Sequence, residues 1–433
     1  MPNNPVQWRL VLCSNEWHGD HFESHYLSIL DGIATGIQLT FGMNRSAELT
    51  FNVPSEDPRV NLQYSVDGLP YLSCGLRAVK AYRRVGDGPG GWELKFAGRV
   101  WSLEDHGDGD TVQTMVTCYD PLKILEKRAV RDKNGLYFPN PGAGSTFNQI
   151  KFWRSVDAVQ PPDTGDGGVH DIGDSGDFGG SYIIKSLITR TIKYGNGNPG
   201  GPYDPKAQCH IDTGGDWAET APLTLTFDTG ATIMDALAQI CNTLTCDLNM
   251  EYLDVFNGVF LRLGATARLG SDNTATIVYA APPYSASEYD RTISLDVMAN
   301  YVHLFGKKQK GYDAVAKDES KMELYNLMEN IENVSDVEHG NVLSKLATMR
   351  LAMQKDPRDL ITVVPTPEDS PLPWNDYNLG DTITIQASAN PTFPPTREMV
   401  NGVQRVYGWK ITIDDDFGEY VSELVVSPQD ATS

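Results

Sequence analysis

The sequence predicts a mainly β fold with α+β parts: an antiparallel β-barrel or sandwich at each end of the chain, flanking a small α+β domain. Three observations predict it. Apolar and polar residues alternate in many short stretches, the period that half-buries a strand. Glycine (40) and proline (26) are plentiful, which favours short strands joined by turns over long helices. At 433 residues the chain exceeds what one hydrophobic core usually serves, so several domains are expected. The boundaries expected are 1–128, 129–290 and 291–433.

The first segment opens with a strand at Trp8–Cys13, followed by a polar loop holding His18, Asp20, His21 and His25. Strands follow at Gln38–Phe41 and Glu48–Val53, the second stopping where Pro54 denies the ladder a donor. Leu76–Arg83 adds another before a turn at Gly86–Gly91. The chain is organised around the next stretch, Gly90–Arg131. There Trp92, Leu94 and Phe96 alternate with polar neighbours, as do Val112, Thr114, Val116 and Cys118. Between them His106–Asp110 supplies the glycines and aspartates of a hairpin turn. Asp120 is placed to accept the free N–H groups of a short helix, with Pro121 at its first position.

In the middle segment, Pro161–Gly180 is dense in Asp and Gly and reads as an exposed loop. Tyr182–Ile192 carries Ile183, Ile184, Leu187, Ile188 and Ile192 at helical spacing, with Ser181 as a possible N-cap. A glycine-rich loop, Gly195–Gly201, follows, and Leu223–Phe227 reads as a strand. Thr232 and Asp235 then form a capping pattern, opening a helix whose apolar face is Ile233, Leu237, Ile240, Cys241 and Leu244. Strands are expected at Asp247–Leu253 and Val259–Leu263.

The last segment begins with a strand at Tyr301–Gly306. Ser335 and Glu338 read as a second capping box, opening an inserted amphipathic helix over about 335–355. Its face is Val342, Leu343, Leu346, Met349, Leu351 and Met353, and Asp356-Pro357 stops it. Strands return at Asp359–Val364, Asp381–Gln386, Val403–Trp409, Lys410–Ile413 and Tyr420–Val426, with a hairpin turn at Asp414–Glu419.

The 57 acidic and 35 basic residues leave a formal charge of −22. Binding of DNA or anionic lipid needs local positive charge, and short runs such as Lys307, Lys308 and Lys310 are too small. The six cysteines, Cys13, Cys74, Cys118, Cys209, Cys241 and Cys246, form no C-x-x-C pair. That points to a reducing compartment rather than a disulfide scaffold. No basic-then-apolar leader and no run of about eighteen apolar residues is present, so membrane insertion is not expected.

Several patterns imitate chemistry. Asp-Thr-Gly occurs at Asp163, Asp212 and Asp228, and an aspartic protease needs two such carboxylates sharing a proton. Only Asp228 follows an apolar strand, and the helix expected after it is foreign to such a site. Gly173-Asp174-Ser175-Gly176 imitates a serine nucleophile loop, without the histidine that must activate it. A helix over His18, His21 and His25 would bring two or three imidazoles to one metal, with Asp20 nearby, although zinc sites use firmer pairs. Asp163, Asp166, Asp171, Asp174 and Asp177 are candidate calcium ligands lacking the EF-hand order. Trp153 and Trp217 are candidate glycan platforms or core residues. The expectation is no catalytic residue, no metal and no cofactor, hence no enzyme.

Phe96-Ala97-Gly98-Arg99-Val100 and Tyr119-Asp120-Pro121-Leu122, with Phe51-Asn52-Val53-Pro54 before them, resemble the first domain of tail-tip hub proteins of long-tailed bacteriophages. The resemblance continues in Ala231-Thr232-Ile233-Met234-Asp235-Ala236-Leu237, in Tyr377-Asn378-Leu379-Gly380-Asp381, in Gln404-Arg405-Val406-Tyr407-Gly408 and in the hairpin at Asp414–Glu419. It does not extend to Pro161–Gly180 or Gly195–Thr220. It implies two tail-tube-like barrels per chain and a homotrimer, so that three chains make a ring of six and adapt a six-fold tube to a three-fold tip. It also implies a distal tail protein, a tape-measure protein and central fibre or other minor tail proteins as partners. DNA would pass through the lumen without specific binding, which an acidic wall suits. The protein would be made in the host cytoplasm and reside in the virion. The alternative is a β-scaffold hydrolase or glycan-binding module acting on the bacterial cell wall.

Overall fold

The computed structural model describes residues 6–427 except 19–20, 59, 61–70, 87–90, 108–111, 131–148, 154–168, 174–182, 186, 190–209, 218–224, 229–230, 245, 255–259, 267, 280–285, 307–311, 335–339, 368–369, 387–400 and 415–417. The first segment holds β1 (Val6–His18), β2 (His21–Ile29), β3 (Thr35–Gly42), β4 (Glu48–Pro54), β5 (Arg77–Val85), β6 (Glu93–Gly107) and β7 (Val112–Tyr119), then the single-turn helix α1 (Leu122–Leu125). The alternation expected in β4 buries Leu49, Phe51 and Val53. β6 and β7 form the expected hairpin, pairing from Arg99–Tyr119 out to Gly107–Val112.

One expectation here is corrected. The polar loop read around the histidines is a β-hairpin, with β1 and β2 pairing from Val11–Ile29 out to His18–His21. The helix that would gather the imidazoles is replaced by two extended strands, because β2 continues the ladder that the second half of β1 would otherwise leave open.

The middle contributes β8 (Gln149–Trp153), β9 (Val169–Gly173), β10 (Ile211–Asp212), β11 (Leu225–Asp228), helix α2 (Ile233–Leu244), β12 (Asp247–Tyr252), β13 (Leu261–Thr266), β14 (Asp272–Tyr279) and β15 (Ala286–Ser294). Residues 183–185 and 187–189 are helical, as their spacing predicts. The Asp/Gly-rich stretch is not all loop: within it β9 pairs in parallel with β8, where Val169 and Ile172 supply local strand preference. Gly195–Gly201 lies outside the described residues.

The last segment runs β16 (Tyr301–Phe305), β17 (Asp313–Lys317), helix α3 (Glu319–Tyr325), β18 (Glu329–Asn333), helix α4 (Gly340–Gln354), β19 (Arg358–Pro365), β20 (Thr382–Gln386), β21 (Asn401–Asp414) and β22 (Gly418–Ser427). The expected helix is present as α4 and buries Leu343, Leu346 and Ala347 on one stripe; its capping box lies outside the described residues. What is inserted is more than a helix. β17, β16 and β18 form a sheet of their own, and α4 covers one face of it. The two strands expected at Val403–Trp409 and Lys410–Ile413 are one strand, β21.

One large sheet runs β15-β19-β22-β21-β3-β4-β7-β6-β5-β1-β2, with β20 and β14 branching from β21. It is antiparallel except where β14 meets β20. Strands of the first and last segments join in it, because β21 pairs with β3 from Gly408–Gly42 to Ile413–Ile37. Two long strands change partner along their length. β6 pairs with β5 through Arg99 and with β7 beyond it, and β21 pairs with β20 through Arg405 and with β3 from Gly408. The main core accordingly draws from both ends, including Leu10, Phe51 and Phe96 with Ile383, Val406 and Ile411. A second core packs α1, α2, the helical residues near 185 and β13. A third, smaller one lies between α4 and the inserted sheet.

Candidate assembly site

The seam between segments is built from buried polar groups, and half of them fall in motifs already singled out. Asp120 directly follows β7 and is almost wholly buried. Its Oδ1 accepts from the Leu122 N–H at 3.0 Å and the Ser46 hydroxyl at 2.8 Å. Its Oδ2 accepts from the Ala47 N–H at 3.0 Å and the Tyr252 hydroxyl at 3.2 Å. The residue expected to cap a helix therefore also ties β4 and β12 to that helix. Burial raises its pKa to about 6, against the lowering effect of the four donors. Tyr252, between the rings of Phe41 and Phe96, has its own pKa raised by burial and by Asp120.

Two ion pairs lie inside the seam. Arg83 on β5 grips Glu419 on β22 with two bonds, Nε to Oε2 at 2.7 Å and Nη2 to Oε1 at 2.9 Å. Trp8 Nε1 donates to the same Oε2 at 2.6 Å, and Arg83 Nη1 reaches Asn375 at 3.0 Å. Around them Trp8, Trp374, Phe41, Trp409 and Tyr377 form a chain of ring contacts crossing from first segment to last. Arg405 on β21 donates through Nη2 to Asp247 at 2.6 Å and to the Leu269 carbonyl at 3.0 Å, and through Nε to the Gly380 carbonyl at 3.2 Å. Asp247 also accepts from the Leu269 N–H at 2.8 Å. Asp381, in the adjacent motif, accepts from Ser271 and from the Asn378 N–H at 2.8 Å.

The motif glycines are explained by close approach. A Cβ on Gly98 would stand 2.4 Å from the Tyr119 carbonyl oxygen, at the point where β6 changes partner. Gly380 has φ of +82° and faces Gly270, with φ of +86°; a Cβ on Gly380 would stand 2.2 Å from the Leu269 carbonyl oxygen.

Only part of the imitated chemistry falls among the described residues. Asp212 accepts from the Gly214 N–H at 2.9 Å and pairs with Arg262 at 2.9 Å, a turn and a surface ion pair rather than half of a dyad. Asp228 ends β11 opposite Gln149; Asp163 lies outside the described residues. So do Asp20, Asp166, Asp174, Ser175, Asp177, Cys209, Lys307, Lys308 and Lys310, while Asp171 is on β9. Trp217 is half-buried against the second core, and its indole N–H donates to the Thr213 carbonyl at 2.9 Å, so it is a packing residue. Trp153 closes β8. Among the described residues, no three His, Cys, Asp or Glu converge as a metal site requires. No described helix is long and apolar enough to cross a membrane.

Among the described residues the large sheet ends at β2 on one side, β15 on the other and β14 on its branch, and unpaired ladder groups at such edges favour strand pairing with another chain.

No protein-family model matches the sequence, and no curated protein resembles it closely enough to count as a relative. Solved structures do. The 43 kDa tail protein of prophage MuSo2 from Shewanella oneidensis superposes with a TM-score of 0.53 at 12% identity, covering 98% of this chain and 99% of that one. A tail protein from Neisseria meningitidis MC58 gives 0.55 at 11%, covering 98% of each. The prophage tail protein gp18 of Listeria monocytogenes EGD-e gives 0.50 at 10%, covering 97% of this chain and 94% of that one. At these identities the likeness is one of fold, and it runs end to end: the chain shares the fold of these tail proteins.

Proposed function

We propose that this chain is a structural virion protein, the trimeric hub of a phage tail tip. The observation that carries the reading is the end-to-end match in fold to proteins named as tail proteins, with 98% of the chain covered. In this reading 1–128 and 291–433 act as two tube-like units and 129–290 as the α+β part between them. Three copies close a ring by heterologous contacts between sheet edges, matching a six-fold tube above to a three-fold tip below. The hub contacts the distal tail protein and the tape-measure protein and anchors central fibre or other minor tail proteins. Its role is architectural, not enzymatic. The formal charge of −22 suits a wall past which DNA moves without adhering, since like charges repel.

Solution mass tests this. Light scattering over a range of concentrations is expected to find three times 47.7 kDa, about 143 kDa. A monomer at every concentration counts against the ring, unless a neighbouring tail protein restores it.

A further inference from the structure

The inserted sheet has two different faces. α4 covers one, burying Val302, Leu304, Ala314, Leu343, Leu346 and Ala347. The opposite face is laid out by the register in three rows: Lys317, Tyr301 and Glu329; then Val315, His303 and Ile331; then Asp313, Phe305 and Asn333. Its apolar members are open to solvent, Val315 by 47% and Ile331 by 60%. Among the described residues β17 and β18 each pair with β16 alone, so both are edges.

We propose that this sheet is continued by a second copy of the chain, β17 of one copy pairing with β18 of the next. β17 runs antiparallel to β16 and β18 parallel to it, so the new pair is antiparallel. Repeating the rows across the junction sets Lys317 against Glu329, Val315 against Ile331 and Asp313 against Asn333 of the neighbouring copy. Opposite charges meet at one end, apolar side chains in the middle and polar ones at the other, the cross-strand pairs that stabilise a sheet. A slip by two residues either way sets Lys317 or Asp313 against Ile331, and an odd slip puts the pairs on opposite faces. Lys317 now pairs with Glu319, both exposed; such a pair contributes little and can exchange. The contact is heterologous, so it repeats around a ring. The inference rests on the proposed trimer for its stoichiometry and on the sheet register for its geometry.

The test is cysteine cross-linking in a Cys74→Ser background, since Cys74 is exposed. With a copper–phenanthroline oxidant, the double variant Val315→Cys/Ile331→Cys is expected to run as covalent dimers and trimers on a non-reducing gel, each single variant as monomer. Each link joins two thiols into one disulfide, with two protons and two electrons lost to the oxidant. Dimers from Val315→Cys alone would overturn the proposal, because they mean β17 pairs with itself, Asp313 opposite Lys317. No ladder from a chain that light scattering finds trimeric would overturn it and leave the ring standing. A chain that stays monomeric at all concentrations, also with a neighbouring tail protein present, removes both. Independently of the cysteines, Lys317→Glu is expected to weaken self-association at least tenfold, and Lys317→Glu/Glu329→Lys to restore it; unchanged association in Lys317→Glu also overturns the contact.

Discussion

The seam joining the two ends of the chain and the inserted sheet of β16, β17 and β18 treat their polar and apolar groups in opposite ways. The seam buries charge: Arg83, Arg405, Asp120, Asp247 and Glu419 are all within it, each tied to several partners. The inserted sheet exposes hydrocarbon, with Val315 and Ile331 facing solvent. A buried ion pair adds little net stability over a hydrophobic substitute, yet removing one partner is expensive. Such pairs therefore fix which strands meet rather than how strongly. Exposed apolar rows fix nothing within a single copy. The contrast separates contacts completed inside one chain from a surface left for another.

The largest expected effect lies in the seam. Arg405→Met leaves Asp247 buried with one N–H donor and is expected to cost about 3–5 kcal/mol in chemical unfolding. Replacing Asp247 by Leu as well is expected to recover much of that loss, and failure to recover would mean the pair itself, not the orphaned charge, matters. Gly380→Ala comes next. The positive φ and the Leu269 carbonyl oppose a methyl group, so a loss of at least about 2 kcal/mol is expected.

Asp120 gives a pH signature. Its folded pKa of about 6 exceeds the unfolded value of 3.8, so the native state binds the proton more tightly and stability falls as pH rises. The contribution is fully present below about pH 4 and lost as pH passes 6, a change of about 3 kcal/mol. Asp120→Asn, which cannot ionise, is expected to flatten that part of the stability–pH curve; an unchanged curve would assign the slope to another group. The smallest effect belongs to the inserted sheet, where Lys317→Ala is expected to leave the unfolding midpoint of an isolated copy unmoved. A large shift there would erase the contrast between the two regions.

Local signals were legible where local physics decides. The Thr232 capping box is present as read, with the Thr232 hydroxyl accepting from the Asp235 N–H at 3.1 Å and the Asp235 carboxylate accepting in return. The hairpin of β6 and β7, the alternation of β4 and the stripe of α4 were legible for the same reason. The seam was only half legible. Asp120, Gly380, Asp381, Arg405 and Glu419 stand in motifs, but Arg83, Asp247, Tyr252 and Trp8 carry no signal, because their partners lie far along the chain, 336 residues for Arg83 and Glu419. β2, β8, β9, β10, β14, β15, β17, β18 and helix α3 were missed. Glu329–Asn333 offers a single apolar residue, since one of its faces meets water and the other meets the polar side chains of α4, Gln354 against Asn330 and Arg350 against Glu332, and no period marks it as a strand.

The joining of β21 to β3 also sets an order in time. β3 leaves the ribosome well before its partner, the part of β21 from Gly408 onward. About 370 residues separate them, so at 5–20 residues per second β3 waits roughly 20 to 70 seconds with one side of its ladder open. Folding of the first segment is thus finished by a strand made about 370 residues later, and a chain cut short between β3 and β21 keeps an adhesive edge that this pairing hides.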